Sequence, residues 1–180
     1  MKKFRAHSDG ASCVDFKSGQ IWTGGLDNTV KSWDIRNISD NILSNHIKSF
    51  ELPAQVFSLG CNPSQDWVAC GLEDSTVEVL HTGQESESPD YTSKYKLHHH
   101  DSCVLALKYA SSGRFMVSTG KDNMLSTWHS PEGQLLFGQK EPASVLCCDI
   151  SSDDRYVLTG SGDKKGSLYR VFEKWVKISF

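Results

Sequence analysis

The feature that most constrains the fold is a short turn motif that occurs four times along the 180-residue chain. Each copy ends in an aspartate, and the four aspartates are Asp27, Asp74, Asp122 and Asp163. They follow one another at intervals of 47, 48 and 41 residues. A motif that returns at such a period indicates a repeat architecture, because each unit must bury its apolar face against the next unit.

The same order of local signals surrounds each of these aspartates. An alternating apolar run precedes it, turn-forming Gly, Asn, Asp and Ser residues separate the runs, and a large apolar side chain follows it by six positions. Those large side chains are Trp33, Leu80, Trp128 and Tyr169. No segment keeps a 3.6-residue apolar period, so long helices are not expected. Four short strands per repeat of about 40–48 residues predict an all-β fold built from WD40-type β-propeller blades.

The predicted organisation is a single WD40-repeat domain over residues 1–180, made of four four-stranded blades. Residues 1–5 are predicted to be the outer strand of a blade that is otherwise missing, and the alternation in residues 173–180 predicts a fourth strand for the last blade. Four blades make a partial propeller, an open arc whose unpaired strand edges favour self-association. The approximate blade limits are residues 6–51, 52–97, 98–139 and 140–180.

Two of the repeats carry a polar set at the positions where WD40 repeats form a buried hydrogen-bond chain. The first repeat has His7, Thr23, Asp27 and Trp33, and the third has His100, Ser118, Asp122 and Trp128. The aspartate is expected to accept from turn amides and the histidine, whose ring reaches a hydroxyl that also meets the indole N–H. The second and fourth repeats keep Asp74 and Asp163 but lose other members, so we expect these two repeats to be held more by packing. The same residue types resemble a hydrolase triad, but their return at one repeat position favours the structural role.

Composition argues against several classes of function. The net charge is −3, so no basic excess is available to neutralise phosphates, and direct nucleic-acid binding is not expected. The longest apolar runs have about six residues, against the ~20 that span a bilayer. No apolar h-region follows the basic N-terminus, so neither membrane association nor a secretory signal is predicted. Without that signal, the six cysteines are interpreted as small buried apolar residues in a reducing compartment.

Three further motifs have both a functional and a structural interpretation. Consecutive His98, His99 and His100 suggest a metal site, but alternation along a strand sends neighbouring rings to opposite faces, so no metal or other cofactor is predicted. The run 160–165 resembles a phosphate loop without its spacing and is interpreted as a blade turn. The polar, acidic segment 82–93 is interpreted as a tolerated inter-strand insertion, with a phosphorylated interaction loop as the alternative.

Several longer segments resemble the C-terminal WD40 propeller of the Groucho / transducin-like enhancer-of-split (TLE) corepressor family. They are residues 8–13, 26–34, 56–60, 77–81, 117–123 and 159–165. The resemblance runs from about residue 4 to residue 170 and implies that four blades of a seven-bladed propeller are present. It also implies a function. Members of the family do not bind DNA themselves. Transcription factors that carry WRPW-type or engrailed-homology-type peptides recruit them to silence transcription in the nucleus.

The resemblance also implies a peptide-binding site at the mouth of the propeller's central channel. Phe57, Leu105 and Leu146 match the family's pocket positions, and Ser12 holds the equivalent position in the first repeat. Three large apolar side chains at loop-to-strand junctions are a hint of binding, because such junctions are usually polar. The alternative is that these side chains simply pack between blades.

The expected function is therefore that of a transcription corepressor module that acts by protein–protein interaction and is not an enzyme. Two other functions stay open at this point. The chain is either a truncated paralogue, purely structural or competing with full-length partners, or a cytoplasmic WD40 scaffold in a multiprotein complex. Saturable binding of a WRPW peptide would separate the first function from the other two.

Overall fold

The computed structural model of the chain describes residues 4–34, 46–83, 93–171 and 176–178. Within these ranges the backbone forms strands and turns, and none of the described segments is a helix that could cross a membrane. The strands of the first half are β1 (Ala11–Lys17), β2 (Gln20–Gly25), β3 (Thr29–Asp34), β4 (His46–Glu51), β5 (Val56–Cys61), β6 (Trp67–Leu72), β7 (Thr76–His81) and β8 (Ser93–His98). Those of the second half are β9 (Val104–Tyr109), β10 (Phe115–Gly120), β11 (Met124–His129), β12 (Leu135–Lys140), β13 (Val145–Ile150), β14 (Tyr156–Ser161), β15 (Gly166–Arg170) and β16 (Val176–Ile178).

These strands form four antiparallel sheets, each made of four strands that are consecutive in the chain. We number the sheets blades 1 to 4 in chain order. The arrangement confirms the predicted all-β fold of WD40-type blades in a partial propeller. The short strand β16 pairs with β15 and completes blade 4, as the alternation near the C-terminus predicts.

The turn between the second and third strands has one backbone conformation in every blade. The residue after the turn aspartate has a positive φ, with values of 63° at Asn28, 73° at Ser75, 69° at Asn123 and 69° at Lys164. Asparagine enters this left-handed region more readily than most residues that carry a side chain. In all four turns the carboxylate accepts the amide two residues further on, at 3.1–3.3 Å. This local hydrogen bond explains why aspartate marks each repeat.

The apolar core lies between the blades. We call the side of a blade that faces the preceding blade in the chain its upstream face, and the side that faces the following blade its downstream face. At the first interface, Trp22 and Val30 on the downstream face of blade 1 pack with Val56 and Leu59 on the upstream face of blade 2. Two further clusters fill the next two interfaces in the same way. The first strand of each blade, here called the inner strand, lies beside the inner strand of the next blade.

The structure corrects the interpretation of the cysteines. Only Cys61 and Cys70 are buried, whereas Cys147 is exposed and the other three are half-buried. Cys147 and Cys148 do point to opposite faces, and Cys148 packs in the cluster between blades 3 and 4. Cys147 lies on the downstream face of blade 4, which no described residue covers, so its burial would require a further blade.

Three of the predicted segments lie partly outside the described residues. These are residues 1–3 of the predicted outer strand, residues 84–92 of the predicted loop, and residues 173–175 and 179–180 of the predicted last strand. Phe4 belongs to no strand, and its ring packs against Trp33 with the ring centroids 5.0 Å apart. Phe4 thereby shields part of the upstream face of blade 1.

Candidate functional site

The four residues predicted to contact a peptide share one structural feature, which is a β-bulge at the start of each inner strand. In blade 1, Ala11 pairs with Gly25 and Cys13 with Gly24, so that Ser12 is the extra residue. The register shifts in the same way at the corresponding points of the other three blades. There the extra residues are Phe57, Leu105 and Leu146. A bulge re-aims a side chain away from the regular alternation of its strand, and bulges are common beside functional sites.

The four bulges lie at the same end of neighbouring inner strands, so their residues form a row across the arc. We call this row the bulge row. Phe57 and Leu105 are half-buried, and Leu146 is 52% exposed. Apolar side chains that stay in contact with water at equivalent points of three consecutive blades form an accessible apolar strip.

Ser12 behaves differently from the other members of the bulge row. Its hydroxyl contacts the carbonyl oxygen of Gly24 at 3.0 Å and also contacts the carbonyl oxygen of Val56 in the next blade. Ser12 therefore links blade 1 to blade 2. The geometry assigns the apolar character of the bulge row to the three residues of blades 2, 3 and 4.

Exposed charged residues of both signs lie at the same end of the blades. In the connections and turns of blades 1 to 3 the exposed acidic residues are Asp9, Glu73, Asp74 and Asp101. They outnumber the exposed basic residues there, which are Arg5 and Lys121. Blade 4 instead exposes Lys164 and Lys165 in its turn. A ligand that carries a positive charge is therefore attracted more to blades 1 to 3 than to blade 4.

The polar set of blade 1 forms a continuous hydrogen-bond chain. The Trp33 indole Nε1 donates to Thr23 Oγ1 at 2.9 Å, and that hydroxyl lies 2.9 Å from His7 Nε2. His7 Nδ1 lies 2.9 Å from Asp27 Oδ1. Because an indole can only donate and a carboxylate can only accept, the Thr23 hydroxyl donates to Nε2 and the His7 proton is on Nδ1. Burial by itself raises the pKa of Asp27, but hydrogen bonds from the Thr29 hydroxyl, the Ser8 amide and the His7 ring hold that pKa well below its ordinary value.

Blade 3 repeats this chain. Trp128 Nε1 donates to Ser118 Oγ at 2.8 Å, Ser118 Oγ lies 2.9 Å from His100 Nε2, and His100 Nδ1 lies 3.1 Å from Asp122 Oδ2. Burial lowers the pKa of His100, and the Asp122 charge offsets this only in part, so the buried ring is neutral. Burial raises the pKa of Asp122, but the amides of Asp101 and Met124 and the His100 ring outweigh it and lower the pKa.

Blades 2 and 4 replace the chain in two different ways. In blade 2, Leu52, Cys70 and Leu80 occupy the equivalent positions and pack in the apolar cluster, while Asp74 bonds only within its own turn. Packing therefore holds blade 2, in line with the expectation for this repeat.

In blade 4 a buried polar pair that the sequence analysis did not predict stands beside the packing of Tyr169 in the apolar cluster. Glu141 is buried at the position of the histidine, and the Tyr169 hydroxyl donates to its carboxylate. Burial and this hydrogen bond to Glu141 raise the pKa of Tyr169. Asp163 accepts hydrogen bonds only from Ser161 and Lys165 of its own turn. The sequence analysis missed Glu141, although the sequence does carry a signal for it. Glu141 precedes Val145 by four residues, which is the spacing that separates His7 and His100 from their inner strands.

Two clefts lie at the opposite end of the inner strands from the bulge row. One is lined by residues such as Lys17, Lys108 and Tyr109, and the other by residues such as Trp22 and Lys48. No residue of the bulge row lines either cleft. Among the described residues no group of three or more His, Cys, Asp or Glu side chains has a metal-binding arrangement.

Comparison with known proteins agrees with the architecture. The family model "WD domain, G-beta repeat" matches residues 1–34, 91–129 and 130–170. The chain therefore belongs to the WD40-repeat family. It is similar to the protein named "Protein groucho" of Drosophila melanogaster, with 49% identity over 173 residues, which are 95% of the chain. The resemblance to the Groucho family is thus confirmed, although the chain spans only 22% of that relative's length.

Proposed function

We propose that the chain is a peptide-binding WD40 module of a transcriptional corepressor. In this proposal it acts in the nucleus and binds transcription factors through their WRPW-type or engrailed-homology-type peptides. The observation that carries the proposal is the bulge row, which presents three apolar side chains at equivalent points of three consecutive blades. The similarity to Protein groucho supports the same class of function.

The chemistry of the bulge row suits an aromatic anchor. A tryptophan side chain buries about 150–250 Å², which corresponds to about 4–6 kcal/mol of apolar transfer free energy at ~25 cal/mol per Å². Much of this gain is lost to the entropy of association, so a short peptide with two such rings is expected to bind in the micromolar range. The arginine of a WRPW peptide fits the acidic side of the same surface, where Asp9, Glu73 and Asp101 are exposed.

The direct test is a titration of a fluorescently labelled Trp-Arg-Pro-Trp peptide with the purified chain, followed by fluorescence anisotropy. We expect saturable binding. Replacing Leu146 by Asp places a charge in the apolar strip and is expected to weaken binding by at least tenfold, or about 1.4 kcal/mol. Leu136→Asp is the matched control, because Leu136 is 46% exposed on β12, away from the bulge row. This control is expected to bind like the unsubstituted chain.

Two outcomes would refute the proposal. The first is the absence of saturable binding by folded protein, which would favour the truncated paralogue or the scaffold. The second is an equal loss of binding in Leu146→Asp and Leu136→Asp, because the bulge row would then have no particular role. A peptide in which the arginine is replaced by glutamate supplies an independent check, since the acidic residues of blades 1 to 3 should repel it.

A further inference from the structure

The cleft that Trp22 lines lies between blades 1 and 2, at the end of the inner strands opposite the bulge row. We call it the Trp22 cleft. Lys17, Trp22 and Lys48 of blade 1 form one wall, and Asp66 and Thr82 of blade 2 form the other. Its volume is about 390 Å³, which is enough for a small ligand or for one side chain of a partner.

The most buried side chain of the Trp22 cleft carries an N–H group without an acceptor. Trp22 is 3% exposed, and its Nε1 has no hydrogen-bond partner among the described residues. The indole stacks on the Phe50 ring, and Val30 and Leu59 belong to the same core cluster. Buried indole N–H groups are usually bonded. Because the side chains of the apolar cluster offer no oxygen acceptor, the cleft is the side from which an acceptor can reach this N–H.

Strand pairing places two more donors beside Trp22. Trp22 on β2 pairs with Ser32 on β3, and Ser32 pairs with Lys48 on β4. Directly opposed residues of neighbouring strands point to the same face, with their Cβ atoms about 4.5–5.5 Å apart. The Ser32 hydroxyl is buried and likewise has no partner among the residues that the structure describes. Three adjacent strands therefore present an indole N–H, a hydroxyl and an ammonium in one row on the downstream face of blade 1.

Two lysines give the lining of the cleft a surplus of positive charge. Lys48 Nζ donates to the carbonyl oxygen of Thr82 at 2.7 Å, and Lys17 Nζ donates to the carbonyl oxygen of Gln65. An ammonium has three N–H donors, so each lysine keeps donors for a ligand. Among the described lining residues Asp66 is the one carboxylate, and it lies 3.5 Å from Lys17 with its side chain 70% exposed. The ammonium of Lys48 therefore remains as the uncompensated charge of the cleft.

Two carboxylates near the row have other partners. Asp15, which pairs with Trp22, accepts the amide of Cys61 in the next blade at 2.7 Å. Glu78 is buried on the upstream face of blade 2, where Lys96 Nζ lies 3.5 Å from Glu78 Oε2. Neither carboxylate lines the Trp22 cleft. Both reduce the positive potential of the region, but the place in front of the Trp22 indole stays open to a ligand.

We propose that the Trp22 cleft is a second binding site, which takes an oxyanion such as a phosphate or carboxylate group. One anionic oxygen accepts the Trp22 indole N–H, and the other oxygens accept from the ammonium groups of Lys48 and Lys17. Indole and ammonium groups can only donate, so this set suits an acceptor and disfavours a cation. The oxyanion comes either as a free ion or on an acidic or phosphorylated side chain of a partner protein. Because the cleft and the bulge row lie at opposite ends of the inner strands, both can be occupied at once.

The indole N–H of Trp22 reports directly on occupation of the cleft. Proton–nitrogen correlation NMR spectra show one indole signal per tryptophan, and the signal of Trp22 is identified by its loss in Trp22→Phe or by its magnetisation transfer to the Phe50 ring. Titration with inorganic phosphate, balanced with chloride at constant ionic strength, should move this signal downfield until it saturates. Trp33 and Trp128 are internal controls, because their N–H groups already donate to hydroxyls within their blades.

Two lysine variants test the role of the charge. Lys48→Met removes the ammonium and keeps most of the stem, and it should raise the phosphate dissociation constant about tenfold because charge-assisted hydrogen bonds are lost. Lys108→Met is the matched control, since Lys108 lines the neighbouring cleft and lies 3.8 Å from Asp149. It should bind phosphate like the unsubstituted chain. Leu146→Asp should also bind phosphate normally, so failure of this proposal and failure of the peptide site are distinguishable.

Short peptides distinguish the two sources of the oxyanion. The probes are blocked tripeptides with glycine on both sides of phosphoserine or of glutamate, and the serine tripeptide is the control. Tighter binding of either probe than of inorganic phosphate assigns the cleft to a partner protein, whereas weaker binding of both assigns it to a free ion. An immobile Trp22 signal, equal movement of all indole signals, or unchanged phosphate binding by Lys48→Met would overturn the proposal.

Discussion

The turn aspartates of blades 2 and 3 offer a matched test of the hydrogen-bond chain, because they share one repeat position but differ in their partners. Asp122 accepts from the His100 ring at 3.1 Å, from the amide of Asp101 at 2.9 Å and from the amide of Met124 at 3.1 Å. Asp74 accepts only from the amide and the hydroxyl of Thr76. Replacement of each aspartate by alanine therefore removes different sets of bonds from similar turns.

The expected magnitudes follow from these contacts. Asp122→Ala leaves the buried His100 N–H without an acceptor, which costs about 1–3 kcal/mol, and each of the two amides that lie closer to solvent adds about 0.5–1 kcal/mol. The total is about 2–5 kcal/mol of unfolding free energy. Asp74→Ala leaves the amide and the hydroxyl of Thr76 without their acceptor. Because the hydroxyl can rotate to another partner, this variant should lose about 1–2 kcal/mol of unfolding free energy.

The assay is urea unfolding followed by far-ultraviolet circular dichroism at a single fixed protein concentration, because association adds to apparent stability. Asp122→Ala should lose about 1–3 kcal/mol more unfolding free energy than Asp74→Ala, with unchanged denaturant slopes. Equal losses would show that the aspartate acts only through its turn and would refute the role assigned to the His100 ring.

Two further predictions concern the same network. The free energy of unfolding should fall as the pH drops below about 6.5, because His100 then takes up a proton in the unfolded state while burial lowers its pKa in the fold. The free energy of unfolding should fall further near pH 4. At that pH the Asp122 carboxylate stays charged in the fold, where its pKa is lowered, but takes up a proton in the unfolded state. A pH series of urea titrations measures this, and a flat profile from pH 8 to 5 would contradict the neutral ring. Trp128→Ala should lower the free energy of unfolding by about 3–5 kcal/mol, because it leaves a cavity between blades 2 and 3. Trp128→Phe should lower it by only about 1–2 kcal/mol, mainly through the lost indole hydrogen bond. Equal melting temperatures of the two variants would exclude the packing role of Trp128.

The repeat pattern predicted the blades well because the turns and strands of a blade depend on interactions between residues that are close in sequence. Asp27, Asp74, Asp122 and Asp163 mark turns whose carboxylate bonds an amide two residues away, and the alternating runs around them form strands in the expected order. The partners in the hydrogen-bond chains also followed from donor and acceptor types, since an indole and a carboxylate leave one possible proton order.

The features that sequence did not predict depend on register and on contacts between blades. The bulge at Leu105 needs the pairing of Val104 with Gly120 and of Ala106 with Thr119, which no property of these residues reveals alone. The Glu141–Tyr169 pair was missed because a carboxylate that replaces a histidine does not match the polar set. The exposure of Cys147 was missed because the apolar residues around it resemble those of a buried strand. Cys147 is exposed because no described blade packs against the downstream face of blade 4.

The central claim, that the bulge row is a peptide-binding site, is tested most directly by photo-cross-linking. A WRPW peptide in which one tryptophan is replaced by benzoylphenylalanine is irradiated with the chain, and the cross-linked residues are identified by mass spectrometry. We expect the cross-links to fall on Phe57, Leu105 or Leu146 and to be lost when unlabelled peptide competes. Cross-links confined to the clefts around Lys17 and Tyr109 at the opposite end of the inner strands, or no competable cross-link, would contradict the claim.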